Sequence, residues 1–513
     1  MRKPLLPLDY PDIDIIRVED TYYMVSTTMY FLPGCELLKS KDLLHWEHAS
    51  FVYDRLDDTP AQKLENGENI YGKGMWAATL RYHKGTYYIM FVCNDTHKTY
   101  LYRAEKPEGP WRKSEVEGFY HDCSLLFDED RIFLSYGNRK VYITELNEEL
   151  TGPKEGGLHV LAVEDAPECA LGYEGSHFYK IGGKYYLFLI HSTPGKWMRA
   201  EGAFVADKVE GPYVGGDIFI NDIGYCGMGV AQGGIVDTPD GDYYSVMFQD
   251  RGAVGRIPIL VAVSFDENGI PSMEGPETLV NDQPEVKLPA SGPSVKGVLA
   301  GSDDFRSADG PSFGLKSFWQ VSHTPILSGI SLNPENGTCS LISCRTDESI
   351  LSAPNTLTQR LYFPGADAEV TLDASALNEG DTAGLAIMQS AFAYLGVTKR
   401  DGKLYLDLCE RDPSTLGRGF DQGELKELLT ASVPLTEPVI RLGFSADFLY
   451  MKDEATFYYY RENEKISIGG IHKMMFRLDH FTGNRAALFL LSKQETGGKA
   501  VFSDFVMIPH EEK

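Results

Sequence analysis

No run of eighteen apolar residues occurs in the chain, so no transmembrane helix is expected. Basic residues are scarce: 48 Lys and Arg stand against 74 Asp and Glu, a net charge of −26. That deficit argues against nucleic acid and anionic membranes as partners, because both call for a basic surface. It suits a neutral or cationic ligand. The eight cysteines form no Cys-x-x-Cys pair and sit in apolar or strand-like surroundings, which points to reduced, buried thiols. The twelve histidines show no His-x-x-x-His spacing, so no zinc site is expected. The first eleven residues include Arg2 and Lys3 but no continuous apolar run. They do not read as a signal peptide, and a cytoplasmic location is expected. Helix signals are weak throughout; Gly423-Glu-Leu-Lys-Glu-Leu-Leu-Thr reads as one short helical turn or loop.

What is present is the material of β-structure. At 513 residues two or three domains are expected. The 29 Tyr and 26 Phe favour strands and also suit ring-shaped ligands. Ile13, Ile15, Ile16 and Val18 form a β-branched strand, Glu19-Asp20 a turn, and Tyr22 to Val25 a returning strand. Asp12 and Asp14 stand at the leading end, at strand spacing and so on one face.

This hairpin recurs. Asp12, Trp76, Asp122, Glu174 and Gln232 each open a strand, and each lies ten or eleven positions before the anchor of a returning strand (Tyr22, Tyr87, Ile132, Tyr185, Tyr243). Successive openings are 64, 46, 52 and 58 residues apart. Lys39 to Trp46, Arg103 to Trp111 and Ala206 to Tyr213 each end a strand, turn, and place an aromatic beyond, as at the outer edge of a small sheet. Irregular repeats of about fifty residues, each an antiparallel sheet, are the sequence form of a β-propeller. Five repeats imply five blades, with a β-sandwich as the main competitor. Corresponding residues of propeller blades converge on one axis. Three carboxylates (Asp12, Asp122, Glu174), one indole (Trp76) and one amide (Gln232) should therefore share one funnel.

The texture changes after residue 288, where Leu288-Pro-Ala-Ser-Gly-Pro begins a linker. The expected organisation is a five-bladed propeller over 1–290, a linker over 291–302 and a β-sandwich over 303–513. In the second domain Ala368 to Asp373, Gly384 to Met388, Tyr394 to Thr398 and Leu404 to Leu408 read as strands.

Two carboxyl groups facing one substrate are the minimum equipment for glycoside hydrolysis: one protonated to donate to the leaving oxygen, the other ionised to activate water or attack. Their pKa values must be pushed apart by burial or neighbouring charge, and a third acid can do that. Acids at loop–strand junctions are usually solvated, and Asp128, Glu129 and Asp130 fit that description. Asp12, Asp122 and Glu174 instead precede apolar strands at equivalent repeat positions. Asp14 rivals Asp12 by geometry alone, and the spacing fixes neither a retaining nor an inverting outcome.

At these residues the chain resembles glycoside hydrolase family 43, the β-xylosidase and α-L-arabinofuranosidase group. The similarity lies in Pro11-Asp12-Ile13-Asp14 with Asp20-Thr21-Tyr22-Tyr23, Pro33-Gly34, Ser40 to Leu43 with Trp46, Trp76-Ala77, His121 to Leu125, Glu174 to His177, and Gln232-Gly233-Gly234 through Asp250 to Arg256. Asp303-Asp304-Phe305, Asn355 to Arg360 and Phe481-Thr482-Gly483 are similar to the sandwich that follows the propeller in many β-xylosidases of the family. The resemblance implies an inverting mechanism with Asp12 as general base, Asp122 as the residue that tunes and orients the acid, and Glu174 as general acid. It breaks the tie with Asp14. Trp76, Gln232, Arg256 and Phe481 are then the substrate contacts, Phe481 reaching over from the sandwich to favour exo cleavage. The implied activity is release of terminal β-D-xylose, and/or α-L-arabinofuranose, from short xylo-oligosaccharides. The rival readings are arabinofuranosidase as main activity, or a non-catalytic sugar-binding propeller. A phosphorylase is disfavoured because Arg256 is its one strong anion-site candidate. No cofactor is required. The family often has a His before Gln-Gly-Gly, near a central metal or water site; Ala231 stands there, which puts calcium on the axis in doubt. Members with this sandwich often assemble, so a homo-oligomer is within what the resemblance implies.

Overall fold

A computed structural model describes residues 4–274, 279–280, 283–284 and 297–511 of the chain. Residues 291–296 of the expected linker lie outside the described residues. The first part is a ring of five antiparallel sheets, each formed by one continuous stretch of chain. Blade one runs Asp14–Val18, Thr21–Val25, Gly34–Ser40 and Glu47–Tyr53. Blade two begins with Met75–His83, blade three with Ser124–Asp128, and blade four with Glu174–Ile181. The inner strand of blade five is split into Val230–Ala231 and Ile235–Asp237. These are the five hairpins of the repeat, in order.

Four of the five inner hairpins close with a two-residue turn whose first residue is left-handed: Glu19 (φ 57°), Lys84 (48°), Glu129 (53°) and Gly182 (57°). Such turns match the twist of antiparallel strands, so loop length and chirality fix the register. The ring closes by pairing its two ends. Ile13 bridges Gly233, the Gly234 N–H donates to the Ile13 carbonyl, and Leu5 and Tyr10 hydrogen-bond to the Arg256–Phe265 strand. Glycine is required at this seam: a Cβ at Gly233 would meet the Val246 carbonyl oxygen at 1.8 Å.

The second part is a sandwich of an eight-stranded and a seven-stranded sheet. The four strands expected there all form, within Gly365–Asp373, Asp381–Met388, Ala393–Arg400 and Lys403–Arg411. Its eight-stranded sheet takes its edge strand from the propeller: Phe31–Leu32 pairs with Gln320–Ser322. One hydrophobic core runs through both parts, joining Tyr10, Ile13, Tyr22 and Trp46 to Trp319, Leu357, Phe444 and Phe502.

Four expectations need correction. Asp128 is not a solvated turn acid: it is buried at the end of its strand and accepts from the Lys180 ammonium and the Tyr185 hydroxyl. The segment from Gly423, expected as a helical turn or loop, is loop only as far as Lys426; from Glu427 it is strand Glu427–Leu435, the far edge of the eight-stranded sheet, where pairing with Lys403–Arg411 overrides local preference. The eight cysteines are free, but Cys226 is exposed, because it lies in the polar, glycine-containing turn after Asp222. Asp12 and Asp14 do not share a strand face. Asp12 precedes the strand in a left-handed conformation (φ 52°), so strand alternation does not apply to the pair.

Candidate active site

The inner strands begin at one mouth of the ring, and the residues that open them carry the polar groups. Three of these openers are left-handed: Asp12 (φ 52°), Asp122 (49°) and Gln232 (56°); Gly175 (61°) directly follows Glu174. In a non-glycine residue this conformation costs about 1–3 kcal/mol and persists only where the surroundings over-determine it. Backbone ties do so here. The Ser176 N–H donates to the Asp122 carbonyl, and the Gln232 N–H donates to Glu201 Oε2 at 2.8 Å.

Asp12 is buried, and its Oδ1 accepts from Arg256 Nη1 at 2.8 Å. Arg256 is fixed from several sides. Its N–H donates to Asp9 Oδ1 at 2.7 Å, its Nε lies 3.7 Å from Asp250 Oδ1, and its guanidinium packs 4.2 Å over the Phe481 ring. Asp9 also accepts from the Gly483 N–H, which ties the Phe481 loop of the sandwich to blade five.

Across the funnel, one oxygen each of Asp122 and Glu174 and one ring nitrogen of His121 lie within 4.8 Å of one another. His121 Nε2 is 3.3 Å from Glu174 Oε2 and 3.6 Å from Asp122 Oδ2. The Asn138 amide donates to Glu174 Oε2, and the Gly175 N–H donates to Asp122 Oδ2 at 3.1 Å. Burial, with the neighbouring charges of Glu174 and Asp12, pushes Asp122 up to about 7 against the pull of His121. Burial pulls His121 down, but Asp122, Glu174 and Asp12 outweigh it and push the imidazole up to about 9.

Trp76 lines the wall between these groups. Its ring is 6.0 Å from His121 and 5.2 Å from Phe481, and its buried indole N–H has no hydrogen-bond partner among the described residues. Gln232 lies against Gly175, where a Cβ would meet its side chain at 2.7 Å. All seven expected site residues are thus brought together. Sequence reasoning missed four more. His121 and Asn138 touch Glu174, Asp9 anchors Arg256, and the exposed Phe420 of the sandwich lies 6.4 Å from Trp76 and 6.0 Å from Phe481. A signal was visible for His121, the residue before a funnel acid; for Phe420 it was a lone aromatic in a Gly-rich, polar loop.

Asp14 plays no part in this funnel. It is fully buried, accepting from Arg81 Nη1 and the Leu80 N–H at 2.7 Å each and from the Ile15 N–H at 3.0 Å, with His177 Nδ1 at 3.2 Å. Arg81 spans the axis, donating also to the Leu125 carbonyl and Ser124 Oγ of blade three. A calcium ion does not fit here. It would need six to eight oxygen ligands, whereas a guanidinium takes the central place, the Asp14 oxygens are committed, and Ala231 offers no ligand. Elsewhere, Asp165, Cys169 and His191 bring three ligand types together, but Asp165 and Asp217 already bond both ring nitrogens of His191. That cluster is satisfied without a metal.

Three acids, one of them raised by burial, in the mouth of a five-bladed propeller lidded by aromatics of a β-sandwich define a glycoside hydrolase. The chain belongs to glycosyl hydrolases family 43, which it matches over residues 1–271, and residues 302–507 match the beta xylosidase C-terminal concanavalin A-like domain. It is similar to a beta-xylosidase of Formosa agariphila, 25% identical over 468 residues that span 79% of this chain and 76% of that protein. It is 26% identical to xylosidase/arabinosidase 43B of Humicola insolens, over 99% of this chain and 98% of that one. Among solved structures, a bifunctional GH43-CE protein of Bacteroides eggerthii is 36% identical with a TM-score of 0.87. The match takes in all of this chain, which spans 64% of the length of that protein.

Proposed function

We propose that the protein is an exo-acting, inverting glycosidase that releases terminal β-D-xylose from short xylo-oligosaccharides and accepts α-L-arabinofuranose as a second sugar. Asp12 is the general base, Glu174 the general acid, and Asp122 the residue that tunes and orients the acid. The observation that carries this reading is the division of the funnel into two unlike halves. On one side the buried Asp12 is held by Arg256 and stands apart from the other two acids. On the other, Glu174 shares its surroundings with Asp122 and His121, a group that holds protons at neutral pH. Trp76 and Phe481 give the sugar an apolar wall, and Arg256 offers a planar set of donors for vicinal hydroxyls. Phe481 and Phe420 narrow the mouth from the sandwich side, which supports attack at chain ends. The names of the relatives support xylose and arabinofuranose as the sugars. The eight unpaired cysteines fit a reducing compartment and support a cytoplasmic location.

The test compares aryl β-xyloside with aryl α-L-arabinofuranoside, with NMR reading the anomer first released. Turnover of the xyloside with inverted configuration is expected. Asp12→Asn should be inactive on both substrates. Glu174→Gln should lose about 10²–10⁴-fold on xylobiose, the range for a general acid, and far less on an activated aryl glycoside. Equal losses on the two would remove Glu174 from the acid role.

A further inference from the structure

We propose that His121 stores the catalytic proton in the free enzyme and passes it to Glu174 when substrate closes the funnel. The inference rests on the reading of Glu174 as the acid. An inverting turnover leaves Glu174 without its proton and Asp12 with one from water, so the acid must be recharged before each cycle. His121 is placed for that task. Its Nε2 lies 3.3 Å from Glu174 Oε2, the oxygen to which Asn138 also donates. Its side chain is 23% exposed, so the ring touches both the acid and solvent.

The groups facing His121 come from every neighbouring blade: Asp122 beside it in the turn before the blade-three strand, Glu174 from blade four and Asp12 from blade one, while Trp76 from blade two packs near its ring. Arg256 from blade five stands beyond Asp12 and Glu174. In the open, hydrated funnel these carboxylates favour imidazolium beside the Glu174 carboxylate. A bound sugar ring expels water and lowers the local dielectric. An ion pair then loses its hydration, and the neutral pair of imidazole and carboxylic acid becomes the better state. The Nε2–H bond of His121 breaks as the O–H bond of Glu174 forms. That proton moves on to the glycosidic oxygen as the C–O bond to the departing sugar breaks. After release His121 recovers a proton from solvent and Asp12 gives one up, so the cycle balances.

The decisive comparison is wild type, His121→Gln and His121→Ala. Glutamine can place an amide donor near the Nε2 position but cannot carry the proton. With xylobiose, both variants should lose about tenfold or more in kcat/KM at pH 7.5 with little change in KM, less than the full contribution of a general acid. The basic limb of the kcat/KM profile should move down by a pH unit or more. An activated aryl xyloside should be nearly unaffected. If His121→Gln behaves as wild type while His121→Ala does not, the residue only positions Glu174 and the proposal falls. A second readout needs no substrate. With ¹³Cε1-labelled histidine, the resonance missing from His121→Gln should titrate near 9 in wild type and at least one unit lower in Glu174→Gln. A midpoint at or below the ordinary 6.5 overturns the proposal. A raised midpoint in a protein that hydrolyses no aryl pentoside would overturn the substrate assignment and leave the proton store standing.

Discussion

Asp12 and Asp14 are two residues apart and are committed to different tasks. Asp12 faces the funnel with Arg256, whereas Asp14 clamps Arg81 on the axis. Asp14→Asn should therefore damage stability rather than chemistry. Breaking a buried pair typically costs about 3–5 kcal/mol, and activity per folded molecule should be retained. Urea unfolding and an active-fraction assay check this. Burial alone would raise Asp14, but Arg81 and His177 outweigh it and bring the carboxyl from 3.8 down to about 2. A depressed carboxyl stabilises the fold above its unfolded value and loses that contribution as pH falls through the folded one. The share of Asp14, about 2 kcal/mol by linkage, should thus disappear between pH 4 and pH 2. The gap between wild type and Asp14→Asn should shrink over the same window. Glu201 has the opposite sign. Burial pushes it from 4.5 up to about 8, one oxygen accepts from Gln232 N–H and the other has no partner among the described residues. Its folded value exceeds its unfolded one, so stability falls as pH rises from 4.5 towards 8. Glu201→Gln stays neutral and keeps an acceptor. It should stabilise the protein by an amount that grows with pH, up to about 3 kcal/mol at pH 7. Thermal melts of both proteins at pH 5 and pH 8 decide it; a gain independent of pH would refute the assignment.

At the scale of elements, the inner hairpins were readable because everything that makes them is local. A β-branched strand, a short turn and an anchored return all lie within about fifteen residues, and equivalent positions reach the axis together. Local spacing alone therefore points Asp12, Asp122 and Glu174 to one place. It could not separate Asp12 from Asp14, because the left-handed turn at Asp12 is dictated by ring closure between Ile13 and Gly233, more than 200 residues apart. Phe31–Leu32 was illegible for the same reason: its strand partner lies in the other half of the chain. The segment from Gly423 misled because its Glu, Lys and Leu favour helix locally, while an open sheet edge claimed it. The Phe420 loop belongs with these long-range features. Phe420 is 59% exposed, so Phe420→Ala should leave stability within about 0.5 kcal/mol of wild type. It should raise KM for short oligosaccharides several-fold with little change in kcat. Unchanged KM would place Phe420 outside the substrate path.

For the whole molecule, the two halves share too much to behave as separate units. Phe31–Leu32 extends a sandwich sheet, and the core that holds Tyr10 and Trp46 continues to Trp319 and Phe502. Arg360 of the sandwich enters the propeller, donating to the Asp9 carbonyl and to Glu36 Oε2 at 2.9 Å; all three residues are buried. Asp9 in turn holds Arg256 and Gly483, so the interface and the funnel are one hydrogen-bonded structure. Removing the sandwich would expose the apolar side of this core, strip Arg360 from Glu36 and leave Asp9 short of partners. Each loss is of the kind that costs several kcal/mol, against a total stability of about 5–15 kcal/mol for a typical domain. A chain truncated before residue 303 should therefore fail to give a folded propeller. The full chain should unfold in a single calorimetric transition, with loss of activity tracking loss of structure. Arg360→Met offers the finer probe, because it cuts the links to Glu36 and to the Asp9 carbonyl without substituting any of the three funnel acids. It should lower the melting temperature of the whole protein by several degrees without splitting the transition. Two resolved transitions, with activity following only the first, would mean that the propeller stands on its own and that the sandwich serves the funnel only through Phe420 and Phe481.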